Sequence, residues 1–189
     1  MRKMTLLAAT ISAVLLAGCQ QTPNAQSTPA TEQVQVVASE VAKANALFED
    51  SFMRGVMRSP VYQTYMGIKQ DYDKWDDGSE ARTLEDLELT KKDLATLLTI
   101  NRAALDASTQ TSYDLFKQSL ENTIADFKWR YHSYPVNQMY GTHSMVPAFL
   151  INQHQISNVS EAKAYISRLN GVPAVFEQLE KDLEIRAQK

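Results

Sequence analysis

Apolar residues recur at three- and four-residue steps along most of the chain, which is the spacing of an amphipathic helix. The first stripe predicts a helix that begins near Val34 and stops before Ser59. This stripe consists of Val34, Val37, Val41, Ala44, Phe48, Phe52 and Val56. Ser59 suits an N-cap and Pro60 the first position of a second, short helix, which Gly67 would end. Residues 71–79 form a loop by their polar composition.

Two longer stripes predict a third and a fourth helix. The third helix would run from about Ser79 to Asn101, with Leu84, Leu87, Leu94 and Leu98 on one side. The fourth would begin near Ser108 and continue to Pro135. Its stripe consists of Tyr113, Phe116, Leu120, Ile124, Phe127, Tyr131 and Tyr134, which indicates a core helix rather than an aromatic ligand site.

The last third of the chain predicts less regular structure. Residues 135–155 look irregular, with a short helix at about 147–152. A final helix would open near Ser160, and Gly171 and Pro173 should kink or break it. No strand-like alternation and no hairpin turn occurs in the sequence. We therefore predict an all-α fold, an antiparallel helical array.

The first residues resemble an export signal. A basic start (Met1-Arg2-Lys3) is followed by an apolar run that is too short to span a bilayer. The run ends in Leu16-Ala17-Gly18-Cys19, which resembles the lipobox of bacterial lipoproteins. We therefore predict a lipoprotein signal peptide at residues 1–18 and lipidation of Cys19. An ordinary cleaved leader or an uncleaved anchor is the alternative.

The signal also bears on location. Two or more acyl chains on Cys19 would hold the protein stably on a membrane. In the lipoprotein pattern an Asp after the cysteine retains the protein at the inner membrane. Gln20 stands there instead, so we expect the outer membrane, facing the periplasm. Residues 19–33 are polar and rich in Gln, Thr and Pro, which predicts a flexible tether before a helical domain at 34–189.

Composition and charge narrow the function classes. The chain has 189 residues, 44% of them hydrophobic, which is ordinary for a globular protein. The formal charge is −3; without Arg2 and Lys3, 17 basic side chains remain against 22 acidic ones, a charge of −5. A mildly acidic chain without a basic run is a poor nucleic-acid binder, so we expect no such partner.

Local motifs indicate no catalytic centre. His132, His143 and His154 are 11 residues apart, so no pair has the spacing of a helical metal site. A zinc site assembled by folding is the less favoured alternative to ordinary hydrogen-bonded histidines. The acidic residues around Trp75 (Asp71, Asp73, Asp76 and Asp77) are out of register for a calcium loop. We interpret them as a capped, solvated loop, with Trp75 packing it onto helices.

Four segments together resemble one family. They are SPVYQTYMGIKQDYDKWDD (59–77), TSYDLFKQSLENTIADFKWRYHSYPVNQMYG (111–141), PAFLINQHQI (147–156) and EAKAYISRLNGVP (161–173). In order and spacing they are similar to the N-terminal part of the bacterial domain-of-unknown-function family 885 (DUF885), which includes many lipoproteins. The similarity covers residues 44–189. Members of that family are usually longer and resemble helical zinc metallopeptidases with a downstream HExxPGHxxQ motif.

The resemblance implies a site that this sequence does not carry. HExxPGHxxQ is absent from the chain, so no metal ligand, zinc or general base carries over, and zinc is expected only in a full-length family member. Polar residues that would line a substrate cleft are Tyr134, Asn137, Gln138, Asn152 and His154. Buried hydrogen bonds that tie loops together are the alternative role for them.

These observations leave two main hypotheses. In the first, the chain is a lipid-anchored periplasmic lipoprotein that corresponds to a truncated N-terminal part of a peptidase-like protein and is catalytically inert alone. In the second, it is a stand-alone periplasmic lipoprotein that binds a peptide or protein partner between its helices. An enzyme with an unrecognised site is the least favoured hypothesis, because no residues can be named for it.

Overall fold

Six α-helices form most of residues 30–189, which are the residues that the computed structural model describes. They are α1 (Ala30–Met57), α2 (Pro60–Tyr65), α3 (Glu80–Leu97), α4 (Ala107–Asp126), α5 (Thr142–Asn152) and α6 (Val159–Ala187). Among these residues there is no strand, only an isolated bridge between Val136 and Gly141, so the predicted all-α fold is confirmed. None of the described helices is long and apolar enough to cross a membrane. The predicted signal peptide, Cys19 and the first part of the predicted tether lie outside the described residues.

Side-chain caps start four of the described helices at or close to the predicted residues; at α4, Asp106 accepts from the Thr109 backbone N–H at 2.7 Å. Ser59 Oγ accepts a hydrogen bond from the Tyr62 backbone N–H at 3.0 Å, and Ser79 Oγ accepts one from Arg82 at 3.2 Å. Asn158 caps α6, two residues before the predicted Ser160. The helix α1 starts four residues before Val34, so residues 30–33 belong to a helix and not to the predicted tether.

Two separate hydrophobic cores hold the helices together. The first lies between α1, α3 and α4 and contains Ala44, Leu97, Ile100, Leu105, Tyr113 and Leu120. The second lies between α2, α5, α6 and the loop after α2. It contains Val146, Phe149 and Leu150, with Val61, Trp75, Tyr165, Val172 and Val175 packed against them. The domain therefore has two halves, each with its own apolar centre.

The predicted fourth helix is too long at its C-terminal end. The α-helix stops at Asp126, and a single 3₁₀ turn follows it, so Tyr131 and Tyr134 are not helical. Tertiary contacts fix the path of the chain beyond this end. The Arg186 guanidinium of α6 donates to the carbonyl oxygens of Arg130 at 2.8 Å and Ser133 at 3.1 Å. These bonds hold the segment that follows α4 and its 3₁₀ turn in a non-helical path.

Gly171 and Pro173 were predicted to kink or break the last helix, and the prediction of a break is wrong. α6 is continuous, with both Gly171 and Pro173 inside it. Pro173 removes the backbone donor that would pair with the Leu169 carbonyl oxygen. Pro173 and Leu169 are both exposed to solvent, so water can bind the Leu169 carbonyl oxygen instead. The helix α5 is also longer than predicted, because it begins at Thr142 and includes Pro147.

The predicted third helix ends early for a local reason. α3 stops at Leu97 and not at Asn101. Asn101 instead starts a 3₁₀ turn, and its side-chain oxygen accepts from the Ala103 backbone N–H at 3.2 Å. Asparagine often takes this role because its short side chain bonds the backbone two residues on.

Candidate functional site

The most deeply buried charged side chain is Arg168 of α6, with 0% of its surface exposed. Its guanidinium donates to the carbonyl oxygens of Lys74 at 3.0 Å and Pro60 at 3.2 Å. It also donates to Thr64 Oγ1 at 2.9 Å and to His154 Nδ1 at 3.0 Å. One side chain thus joins α2, the loop after α2, the end of α5 and α6. We call Arg168 and these four partners the arginine centre.

Aromatic rings surround the guanidinium, and the carboxylates of Asp73 and Asp76 act on it only at longer range. The rings of Tyr72, Trp75 and Phe149 lie 4.8 to 5.8 Å from its central carbon. Within residues 30–189 no acidic side chain forms an ion pair with Arg168. Cation–π attraction and hydrogen bonds to carbonyl groups therefore stabilise the charge. Burial lowers the pKa of Arg168 from its ordinary value, although a guanidinium remains protonated in proteins.

His154 is held in one protonation state by its neighbours. The side chain is 5% exposed, and its ring stacks on Tyr72 at a centroid distance of 4.1 Å. Because Arg168 can only donate, Nδ1 must accept, and the ring is neutral with its proton on Nε2. Nε2–H then donates to the Glu161 carbonyl oxygen at 3.2 Å. Burial lowers the pKa of His154, and the positive charge of Arg168 lowers it further.

Trp75 anchors the loop after α2, as predicted. Its indole N–H donates to the Arg168 carbonyl oxygen at 2.8 Å, and its ring lies 5.4 Å from that of Phe149. A methyl group on Gly171 would lie only 3.0 Å from Trp75 Cδ1, so the missing side chain makes room for the indole. The loop is therefore fixed against α5 and α6 by one aromatic residue.

The acidic residues beside Trp75 serve as caps. Asp76 accepts from Ser59 Oγ at 2.7 Å and from the Val61 backbone N–H at 2.9 Å, at the start of α2. Asp71 accepts from the Gln63 side-chain amide at 2.9 Å. These contacts agree with the interpretation of a capped loop. In the described part of the chain no three His, Cys, Asp or Glu side chains are grouped so that they could hold a metal ion.

An open pocket of about 320 Å³ lies between α1 and α3 and was not predicted. It is lined by three arginines, which are Arg54, Arg58 and Arg82, together with Asp76, Asp77, Asp86 and Asp93. The arginines have partners within the pocket wall: Arg54 pairs with Asp93, and Arg58 Nε donates to Asp86 at 2.7 Å. Arg82 donates to the Arg58 carbonyl oxygen at 2.7 Å. Nothing in the sequence indicated this pocket, because its charged residues come from separate segments: α1 and the residue after it, the loop before α3, and α3 itself.

The five residues predicted to line a cleft occupy different places. Tyr134 is 88% exposed and borders a surface pocket at the C-terminal end of α6. Asn137 turns the chain by accepting from the backbone N–H of Met139 at 2.8 Å and of Tyr140 at 3.0 Å. Gln138 is exposed, and Asn152 Nδ2 donates to the Ala148 carbonyl oxygen at 2.9 Å. His154 belongs to the buried arginine centre. Their role at a cleft stays a prediction.

These features define an all-α protein with two small cores and a buried polar centre that joins its helices. The family model described as a bacterial protein of unknown function, DUF885, matches residues 60–189, and the chain belongs to this family. No curated protein and no solved structure matches the chain. The matched part starts at the first residue of α2 and contains the whole arginine centre, whereas α1 precedes it.

Proposed function

We propose that this chain is a lipoprotein held by acyl chains on Cys19, on the periplasmic side of the bacterial outer membrane. Its helical domain would be a non-catalytic N-terminal part of a zinc-peptidase-like member of DUF885, inert on its own. The basic start, the short apolar run and the sequence Leu16-Ala17-Gly18-Cys19 support the anchor. The four segments that resemble the peptidase-like family support the second statement.

The arginine centre is the observation that carries the non-catalytic proposal. A general base or metal ligand needs a ring nitrogen or carboxylate that is free to reach a substrate. Both ring nitrogens of the buried His154 are committed, one to Arg168 and one to the Glu161 carbonyl oxygen. The polar groups of this centre therefore join helices, and they contribute to stability rather than to chemistry.

Membrane attachment can be tested with one substitution. We expect the full chain produced in a Gram-negative bacterium to fractionate with the outer membrane, and its N-terminal peptide to carry the mass of a diacylglycerol and a third acyl chain. Cys19→Ser should remove the acyl mass and displace the protein from the outer-membrane fraction. A Ser12→Ala variant, which changes the apolar run but not the cysteine, is the control. An unmodified Cys19 in the mature protein would refute the anchor.

The proposal that the chain is catalytically inert is tested separately, on the full chain purified with and without added zinc. We expect no hydrolysis of a mixed peptide library and no stoichiometric zinc in the purified protein. Zinc-dependent hydrolysis that a chelator abolishes would show that the chain has a catalytic site of its own. This result would leave the lipid anchor unaffected, so the two statements fail independently.

A specific observation also favours the second hypothesis, a stand-alone lipoprotein that binds a peptide or protein partner. Several large apolar side chains of α6 are exposed, and exposed apolar patches commonly mark interaction surfaces. Pull-down by the lipid-free protein of a defined peptide set, compared with a variant altered on α6, would distinguish this hypothesis from the first.

A further inference from the structure

Two different faces of α6 are apolar, and only one of them is packed. The packed face carries Tyr165, Arg168, Val172 and Val175 and lies against the second core. A second stripe lies about a quarter turn around the helix, at 100° per residue. It consists of Ile166, Leu169, Phe176 and Leu183, whose surfaces are 37 to 56% exposed.

The spacing of the second stripe is that of a coiled-coil seam. Its positions alternate in steps of four and three residues: Ala162, Ile166, Leu169, Pro173, Phe176, Glu180 and Leu183. An alternation of this kind forms a narrow seam that seats one other helix along its length. A broad apolar face of the type that packs on a sheet would need a wider set of positions. The occupant of this seam is therefore an α-helix.

Charges beside the seam indicate which helix fits. The open flank carries Lys163, Asn170, Glu177 and Glu184 at seven-residue steps. Within the described residues neither Lys163 nor Glu184 forms an ion pair. The flank is thus basic at the N-terminal end of the helix and acidic at the C-terminal end. Such a flank is complementary to itself when the second helix runs in the opposite direction.

We propose that α6 is the interface of a two-fold symmetric dimer, in which the α6 helices of two copies of this chain pack antiparallel along the seam. Lys163 of each copy would lie beside Glu184 of the other, so the symmetry forms the pair twice. In the same register Ile166 faces Leu183, and Pro173 faces Phe176. Leu169 faces Glu180, whose aliphatic stem covers the leucine while its carboxylate reaches water. This inference depends on neither the lipid anchor nor the peptidase resemblance.

Sedimentation equilibrium of residues 19–189 with Cys19→Ser, which excludes association through the lipid and through the apolar leader, measures the dimer. We expect a monomer–dimer equilibrium that Phe176→Asp weakens by roughly tenfold or more, because it places a charge in the seam. Phe176 is 37% exposed in the single chain, so the Phe176→Asp variant should keep the helical circular dichroism spectrum of the parent at a concentration where both proteins are monomeric. A chain that is monomeric at every concentration, or a dimer that Phe176→Asp leaves intact, would overturn the proposal.

Charge reversal tests the antiparallel register. Lys163→Glu should weaken the dimer severalfold, because it brings two acidic side chains together twice, and Lys163→Glu combined with Glu184→Lys should restore it. Lys92→Glu changes the charge by the same amount at an exposed position of α3, away from the seam, and should leave the dimer unchanged. If the double variant associates no better than Lys163→Glu alone, the antiparallel register is wrong.

Discussion

Arg168 shows how a buried charge can be held without an acidic partner. The guanidinium has five N–H donors in a fixed planar arrangement and accepts nothing. The backbone around it supplies the carbonyl oxygens of Pro60 and Lys74 as acceptors. Arg168 therefore donates hydrogen bonds to several segments of the chain at once, and its removal would affect all of them.

The contact between Arg168 and His154 predicts a pH dependence of stability. Because the folded protein holds the pKa of His154 below its ordinary value, the unfolded chain takes up a proton more readily than the folded one. Above the ordinary histidine pKa of about 6.5, His154 is neutral in both the folded and the unfolded state. The free energy of unfolding therefore does not change through this residue in that range. As the pH falls below that value, the free energy of unfolding should decrease by at most ~1.4 kcal/mol per pH unit. The decrease should level off below the folded-state pKa.

Urea titrations between neutral pH and mildly acidic pH would measure this slope. His154→Gln cannot take up the proton and should flatten the curve in this range. His132→Gln, which lies outside the arginine centre, serves as the matched control and should keep the slope of the parent protein. Every charged group around the ring is relevant here: Glu161 presents its carbonyl oxygen to His154 and pairs its carboxylate with Lys69. A slope that survives in His154→Gln would place the titration in another group.

At the scale of single helices, two glycines allow a matched comparison. Gly55 of α1 has nothing within 4 Å of an added methyl group, whereas at Gly171 of α6 the methyl would lie 3.0 Å from Trp75. Alanine in a helix interior is favoured over glycine by about 0.5 to 1 kcal/mol. We expect Gly55→Ala to stabilise the protein by this amount. Gly171→Ala should stabilise it less or destabilise it, because Trp75 is also fixed by its hydrogen bond to Arg168.

Chemical denaturation of both variants gives the comparison directly. A further comparison introduces Gly171→Ala into a Trp75→Phe protein, in which the smaller ring relieves the crowding. Gly171→Ala should destabilise this protein less than it destabilises the parent. Equal stabilisation by the two single alanines would mean that the indole moves aside freely. The proposed anchoring role of Trp75 would then have to be abandoned.

Helix beginnings were predictable from the sequence because their causes are local. The caps at Ser59 and Ser79 depend on a few adjacent residues, and so does the turn at Gly67, whose φ of 76° suits glycine. Helix ends were less predictable. The path of the chain after α4 depends on Arg186, which lies far along the chain, and the continuity of α6 depends on where its proline faces. Long-range contacts of this kind leave no local pattern.

The candidate site was predictable only where one residue dominates it. Trp75 in an acidic, loop-forming segment indicated an anchor, because a buried tryptophan needs both apolar contacts and one acceptor. Arg168 gave no such signal, because in the sequence it looks like an ordinary surface arginine on an amphipathic helix. Its burial follows from four segments meeting around it, and that meeting is a property of the fold. His154 was named for a cleft, but its partner Arg168 could not be inferred.

At the scale of the whole molecule, the boundary of the family match and the boundaries of the two cores do not coincide. The match starts at residue 60, yet α1 contributes Ala44 to the first core, together with Val41, Leu47 and Phe48 at its edge. α3 and α4 belong to the match and depend on α1 to cover their apolar faces. The second core lies wholly inside the match. The matched region is therefore complete in one half and dependent on α1 in the other.

This division predicts two units of local stability that hydrogen exchange can separate. Phe149→Ala removes a large side chain from the second core, and Leu97→Ala removes one from the first; such changes cost about 2 to 5 kcal/mol. If the cores are separate cooperative units, Phe149→Ala should accelerate amide exchange in α5 and α6 while α4 stays protected. Leu97→Ala should do the reverse, and the two variants act as controls for each other. Equal acceleration throughout residues 30–189 in both variants would instead mean that the link between α1 and α2, with the arginine centre, couples the halves into one unit.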